Sequence, residues 1–278
     1  DFVATSRNYS INVKSGKFLF KRDMTSFDMV RSLRLNVPVN VAFNNQETID
    51  KLMIRLSTQL EPDTLTLNQA FTNDAFLLEN GLTKETALTL FIPNTYEFYW
   101  DTSAKKIADK MAKEHNKFWN AERLAKAKSL NMTPAQVYTL ASIVHKETVK
   151  ADERPRVAGA YLNRIQQDMP LQADPTVIYS IKEKSGNFDQ VIKRVGGSNL
   201  FVKSPYNTYI NKGLPPGPIA MPDISAIDAV LNPEKHNFIY FCADPDRPGY
   251  HAFETTYEAH MINAKKYAAW VNKLGIKL

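Results

Sequence analysis

Two hydrophobic periods divide this chain. Val37, Val39, Val41 and Phe43 alternate strictly, the period of a half-buried strand, and Asn44-Asn45 ends the run. From Glu47 to Leu60 the spacing turns helical through Ile49, Leu52, Met53 and Leu56. Ahead of them, Tyr9, Ile11 and Val13 alternate into the turn Lys14-Ser15-Gly16, and Phe18-Leu19-Phe20 returns, which predicts a hairpin over 8–20. Ser26 to Leu35 is helix-like. Strand, short helix, strand and helix predict a compact α+β unit over residues 1–62, closing near Pro62.

The next stretch, 63–130, reads as a helical connecting region. Leu67 to Leu90 is helical in short pieces. Leu90 to Trp100 is extended and aromatic-rich around Pro93. It suits either a core cluster or a platform for flat sugar faces. Ser103 to Ser129 reads as one long helix that packs through Ile107, Ala108, Met111, Phe118 and Leu124, with a solvated Lys-rich face.

Residues 131–278 predict a larger, mainly helical domain with a short β-hairpin. Thr133 is a good N-cap, Pro134 suits the first helical position, and Gln136 completes a capping box. Val137, Leu140, Ala141 and Val144 form the apolar stripe; at about 100° per residue Glu147 falls beside it and Lys146 opposite. Asp152 is placed to cap a second helix that buries Val157, Ala158, Tyr161, Leu162 and Ile165 and stops at Asp168-Met169-Pro170. Leu171-Gln172-Ala173 is extended, and Asp174-Pro175 opens a third, short helix with Asp174 as cap. Residues 185–200 are polar and Gly-containing, a loop. The proline-rich run from Ser204 to Pro218 fixes a rigid excursion that presents Tyr206, Asn207 and Tyr209. A short helix over Ser225–Leu231 follows, then strands at 238–242 and 250–253, and a last helix from Thr256 to Leu274 with Met261, Ala264, Tyr267 and Val271 inward.

Composition narrows the chemistry. With 278 residues, 44% hydrophobic and 23% charged, the chain can bury a sizeable core. The net charge of +6 suits anionic surfaces, but no dense Lys/Arg run is interleaved with aromatics, which argues against nucleic acid as a partner. No run approaches the roughly 20 apolar residues of a spanning helix. The sequence opens on Asp1 without an initiator Met, which leaves room for a removed upstream anchor. Cys242, the single cysteine, sits in an apolar run and reads as a buried structural thiol. The five histidines have no zinc spacing and there is no Gly-rich phosphate loop, so neither a metal nor a cofactor is expected. His251 and Glu254 read as a surface pair, and Ser142 is wrongly directed to use His145 as a base.

Acid–base chemistry remains. A carboxylate beside an apolar stripe is partly desolvated, which favours the protonated form that a general acid needs. Glu147 fits that description or is a salt-bridged shoulder residue; Glu153 and Asp174 are the other candidate carboxylates, and glycoside chemistry commonly uses two. The residues alone leave a carbohydrate-active enzyme open.

Several ordered blocks resemble one family: Ala141-Ser-Ile-Val-His-Lys-Glu-Thr148, Glu153-Arg154, Val157-Ala158, Asn163-Arg164, Leu171 to Tyr179, Tyr206-Asn207-Thr208-Tyr209 and Gly213 to Ile219, preceded by Pro93 to Phe98. From about residue 37 onward the chain is similar to the YceG-like endolytic murein transglycosylases, the MltG family. The resemblance implies a LysM-like N-terminal α+β subdomain that binds glycan. It also implies a bacterial envelope enzyme tethered to the cytoplasmic membrane by one N-terminal helix, with its catalytic part in the extracytoplasmic space. Its substrate would be peptidoglycan glycan strands, cut internally between N-acetylmuramic acid and N-acetylglucosamine to leave 1,6-anhydro ends, with cell-wall synthesis proteins as partners. Glu147 matches the family's catalytic position. His145 stands where many members carry a second Glu, which argues that Glu147 is the acid. Asn94 replaces the usual Asp and receives no role. On this reading Gln172, Asp174, Tyr206, Asn207, Thr208 and Tyr209 hold the sugars, and Glu153 with Arg154 is a structural ion pair that orients the helices. The alternative is a non-catalytic wall-binding or scaffold module.

Overall fold

A computed structural model of the chain describes residues 2–192 and 195–273. The fold is mixed and helix-rich, with two small antiparallel sheets among the described residues. It divides into two units. One takes the chain up to Ala87 together with Pro93–Glu114, and the other takes Leu88–Ile92 and the chain from His115 onward.

In the first unit the elements are α1 (Phe2–Ser6), α2 (Ser26–Ser32), β1 (Val39–Phe43), α3 (Ile49–Ser57), α4 (Thr64–Phe71), α5 (Asp74–Glu79) and β2 (Asn94–Phe98). The alternating run does become β1. It pairs antiparallel with β2, with Val41 opposite Tyr96 and Val39 opposite Phe98. One face of the pair is buried through Val41, Phe43, Tyr96 and Phe98, and the rings of Phe43 and Tyr96 stack at 5.2 Å. The aromatic stretch is therefore core on this face, while Tyr99 and Trp100 beyond β2 are exposed. α3 packs on β1, and Leu52, Met53 and Leu56 of α3 and Leu67 and Phe71 of α4 are buried. α3 and α4 pack together, so residue 62 falls inside this unit rather than at its edge.

The expected hairpin over 8–20 is absent. Its alternating residues do not share one buried face: Tyr9 is buried, but Ile11 is 83% exposed and Val13 and Leu19 are exposed too. The backbone there bonds elsewhere, with Val37 N–H donating to Lys17 O and Lys17 N–H to Asn36 Oδ1.

The expected long helix is two, α6 (Ala104–Phe118) and α7 (Ala121–Ser129). Asn120 makes the break, because its side chain caps the second piece by accepting from Arg123 N–H at 3.0 Å. The new direction leaves Leu124 45% exposed instead of packed.

The second unit is built around α8 (Pro134–Glu147). Its N-terminus carries the capping box as expected, Thr133 with Gln136, and Pro134 opens the first turn. The helix is more central than an amphipathic stripe implies. Every residue from Val137 to Val144 is buried, polar Thr139 and Ser142 included. Ser142 Oγ donates to Thr139 O and accepts from Ile219 N–H, and Tyr138 OH donates to Phe91 O, so the buried polar groups are satisfied. Around it lie α9 (Arg154–Gln166), α10 (Asp174–Ser185) and α11 (Ile224–Leu231), which share a core of Val137, Leu140, Val144, Val157, Tyr161 and Ile227. β3 (Tyr240–Ala243) and β4 (His251–Glu254) form the second sheet, covered by α12 (Tyr257–Lys273). Positions 193–194 of the polar loop and the last position expected in the final helix, 274, lie outside the described residues. None of the described helices is long and apolar enough to cross a membrane.

Two caps differ from expectation. Asp152 does not cap α9; it accepts from Tyr250 OH at 3.0 Å, and Glu153 precedes the helix without a capping bond. Ala173, not Asp174, sits at the N-cap of α10, which runs twelve residues. Asp174 is thereby the first helical residue, and its side chain is left for other contacts.

Candidate active site

Glu147 is the last residue of α8 and is half-buried. It lines a cavity of about 300 Å³ together with Tyr161, Gln172, Asp174, Tyr209 and His251. Several separate pieces of chain meet there. α8 delivers the acid. α9 brings Tyr161, whose hydroxyl donates to Glu147 Oε2 at 3.0 Å, and Arg164, also in the wall. The start of α10 and the proline-stiffened loop bring Asp174 and Tyr209, whose hydroxyl donates to Asp174 Oδ1 at 2.6 Å. β4 brings His251, and Cys242 of β3 lies in the wall as well.

The electrostatics follow from burial. Loss of water pushes the Glu147 carboxyl above its ordinary 4.5; the charge of His251 and the Tyr161 hydrogen bond oppose this without cancelling it. A carboxylate at a helix C-terminus also faces the negative end of the helix dipole, which acts in the same direction as burial. Burial likewise raises Tyr161, and the adjoining Glu147 adds to it. Tyr209 is raised by burial and by its bond to Asp174. Both phenols are therefore hydrogen-bond donors throughout the neutral range. Arg164 stays a cation, with Nη1 and Nε bonded to Leu171 O and Ile239 O, so it ties the cavity floor to β3.

Of the residues singled out from sequence, Glu147, Gln172, Asp174 and Tyr209 meet in the cavity. Tyr206, Asn207 and Thr208 do not line it and are buried. Asn207 Nδ2 donates to Leu200 O and Val202 O while its Oδ1 accepts from Tyr209 N–H, which staples the loop. Tyr206 packs on Tyr179 at 4.7 Å. Thr208 braces the cavity edge: Gln172 N–H donates to its carbonyl, Ala173 N–H to its hydroxyl oxygen, and its hydroxyl pairs with Thr176 at 2.8 Å. That brace holds Gln172 in the left-handed region, at φ 48°, with its side chain exposed at the cavity edge. Glu153 and Arg154 anchor to different elements. Glu153 takes the backbone and ring of His251, while Arg154 takes Asp223, ahead of α11, at 3.0 Å.

Sequence reasoning missed three groups. Tyr161 was assigned to the core on spacing, although a Tyr on a buried face needs a partner for its hydroxyl, and that requirement was a usable signal. Arg164 is a cation on the buried side of a helix, which is equally a demand for partners. His251 looked like a partner of Glu254, but Glu254 bonds Asn263 and the imidazole bonds Glu153, 98 positions away.

A model of the YceG-like family matches residues 1–266, and the chain belongs to that family. Among its relatives is a Bacillus subtilis protein named endolytic murein transglycosylase, 33% identical over 213 residues, which are 76% of this chain and 54% of the relative. A Streptococcus pneumoniae protein of the same name is 27% identical over 271 residues, 87% of this chain and 48% of the relative. The chain thus spans about half the length of these relatives. A crystal structure of a YceG-like protein from Listeria monocytogenes superposes with a TM-score of 0.69 at 26% identity, covering 94% of this chain and 88% of that one.

Proposed function

We propose that this chain is the catalytic part of an endolytic murein transglycosylase that cuts glycan strands of peptidoglycan between N-acetylmuramic acid and N-acetylglucosamine. The observation that carries the reading is Glu147: a carboxyl raised by burial, bonded by Tyr161, in the wall of a cavity of saccharide size. The family and the names of the relatives support the same chemistry.

Glu147, protonated, gives its proton to the glycosidic oxygen as the bond to C1 breaks. As a carboxylate it then takes the proton from the muramic acid 6-hydroxyl while that oxygen closes on C1. The first step leaves the residue in the form the second requires, so one carboxyl serves both. No water is consumed and the product end is 1,6-anhydro-N-acetylmuramic acid. Gln172, Asp174 and Tyr209 hold the sugars at the cavity edge. Tyr206, Asn207 and Thr208 act one layer behind, by fixing the loop and the Gln172 backbone.

The first unit is read as a LysM-like glycan-binding module, supported by two antiparallel strands that enclose the helices between them. An N-terminal membrane tether, an extracytoplasmic position and contacts with cell-wall synthesis proteins belong to the same proposal and rest on the family. Muropeptide analysis of digested sacculi tests it. Anhydro ends are expected from the parent chain and not from Glu147→Gln. Reducing ends would make the chain a hydrolase, and no new ends would make it a wall-binding module.

A further inference from the structure

His251 is a titratable group of the cavity that the reaction above leaves without a task. It stands on β4 opposite Ala243, with Phe241 edge-on to its ring at 5.4 Å. Glu153 holds it twice, accepting from the backbone N–H at 2.7 Å and bonding Nδ1 at 2.9 Å. The two side chains are 13% and 3% exposed, so this is a clamp inside the fold rather than a surface pair. Committing Nδ1 to Glu153 fixes the ring and makes Nε2 the second nitrogen of a cation. The clamp bridges the turn before α9 and the strand that closes the cavity.

We propose that His251, clamped by Glu153, is a positioning residue for the acid: it keeps a positive charge in the wall that carries Glu147, so that the carboxylate left after proton donation is stabilised until it recovers a proton from the 6-hydroxyl. The inference rests on Glu147 as the acid–base group. Burial alone would hold the Glu147 proton too tightly for a donor; a fixed cation in the same wall offsets part of that. The other charged and titratable groups around the imidazole do not supply this. Arg164 of α9 spends its guanidinium on the carbonyls of Leu171 and Ile239. Asp174 of α10 is negative and bonded to Tyr209 of the loop. Tyr161 of α9, Tyr267 of α12 and Cys242 of β3 complete the wall and bring no cationic side chain to it. Beside it on the chain, Tyr250 is bonded to Asp152 and lies under the Lys150 ammonium. The balance of causes agrees. His251 is the largest influence pulling Glu147 down against burial. Burial also disfavours the imidazolium, but the bond to Glu153 and the charge of Glu147 more than offset it, and His251 ends above its ordinary value.

The coupling can be read without turnover. Ring resonances of His251 are followed by NMR through a pH titration of the full chain and of Glu147→Gln. The imidazole midpoint is expected to fall by about one pH unit in the variant, the size of a close opposite-charge effect. An unchanged midpoint overturns the inference. Because this variant keeps the neutral shape of the acid, the test does not depend on His251 variants folding. The second arm uses the pH profile of anhydro-end formation in His251→Gln and His251→Lys. The Gln variant is expected to lose kcat with KM unchanged and to carry its profile to higher pH, while Lys restores both in part. A loss confined to KM, or one without displacement of the profile, also overturns it. If Glu147→Gln still produces anhydro ends, the acid assignment fails and the inference with it; lost anhydro ends with an unchanged imidazole midpoint overturn the inference alone.

Discussion

Two cavities of this chain, each within its own unit, invite comparison. The first unit has a groove of about 800 Å³ lined by Arg34, Asn36, Glu97, Asp101, Lys106 and Lys110. The second has the cavity of about 300 Å³ at Glu147. The larger one carries more charge. Its Arg34, Glu97 and Lys106 are exposed, and Asp101 is tied to Asn36 at 2.8 Å and to Ser15 at 3.2 Å. In the smaller one a carboxyl, two phenols and an imidazole meet among helices, a loop and a sheet, and each is displaced from its ordinary protonation range. The lesson is that volume and charge count do not make an acid. Water does the screening in the groove, and its loss does the activating in the cavity.

The sharpest way to break this comparison is Glu147→Gln. It should lower anhydro-end formation by about 10²–10⁴-fold while leaving the fold intact, the range for losing a general acid. The groove variant Lys106→Ala should leave the rate of bond cleavage where it was. The parent activity should also decline as pH rises through the raised value of Glu147, because the proposed reaction starts from the protonated form. Equal losses from the two variants would remove the distinction between the cavities.

Much of the cavity was legible before any coordinates. Glu147 was placed beside the buried stripe by helical spacing alone, and Thr133, Pro134 and Gln136 fixed where that helix starts. Val39 to Phe43 announced β1 by its period. The hydrophobic period failed where a hydrogen-bond partner decides. The alternation over 8–20 had no strand to pair with, and Asn120 as a cap outweighed the continuous pattern from Ser103 to Ser129. Asn207 and Thr208 are polar residues in a rigid loop, which reads as binding, yet their partners are the backbone of 172–173 and 200–202. Period and turn chemistry show which way a side chain points relative to its own element. They do not show which backbone groups come to meet it, whether 5 positions away, as for Asn207 and Val202, or 35, as for Thr208 and Ala173.

That last point sets the next test. Thr176 Oγ1 donates to Ala173 O, so the single hydroxyl proton of Thr208 goes to Thr176, and its oxygen accepts from Ala173 N–H. Thr208→Val keeps the volume and removes both bonds, leaving a buried N–H without an acceptor. A stability loss of about 1–3 kcal/mol by chemical denaturation is expected. Gln172 keeps its own bond to the Thr208 carbonyl, but loosening of Ala173 beside it should raise KM more than it lowers kcat. A variant as stable as the parent would mean that Thr208 does not brace the cavity edge.

A smaller effect separates the two cavities by stability alone. The folded-state value of Glu147 lies above its unfolded value, so its contribution to stability is fully present below the ordinary carboxyl value of 4.5 and is lost as pH rises toward the raised one. Glu147→Gln carries no such liability. Its melting temperature should match the parent in acid and exceed it increasingly toward neutral pH. A gap independent of pH would place Glu147 in contact with water.

The smallest effect belongs to the groove. Lys106 is exposed on α6, and Lys106→Ala should change stability by no more than about 0.5 kcal/mol, as surface substitutions do. Its value lies in what else it moves. If the groove grips the wall through its charges, the variant should sediment less with sacculi, and the parent's own binding should weaken with added salt, because exposed charges are screened over about 10 Å at 0.1 M. Cleavage by the Glu147 cavity should not share that salt dependence once substrate is saturating, since Tyr161 and His251 beside the acid are largely shielded from solvent ions. A kcat that falls with salt as steeply as binding does would mean that the cavity is as wet as the groove, and the argument from desolvation would fail for both.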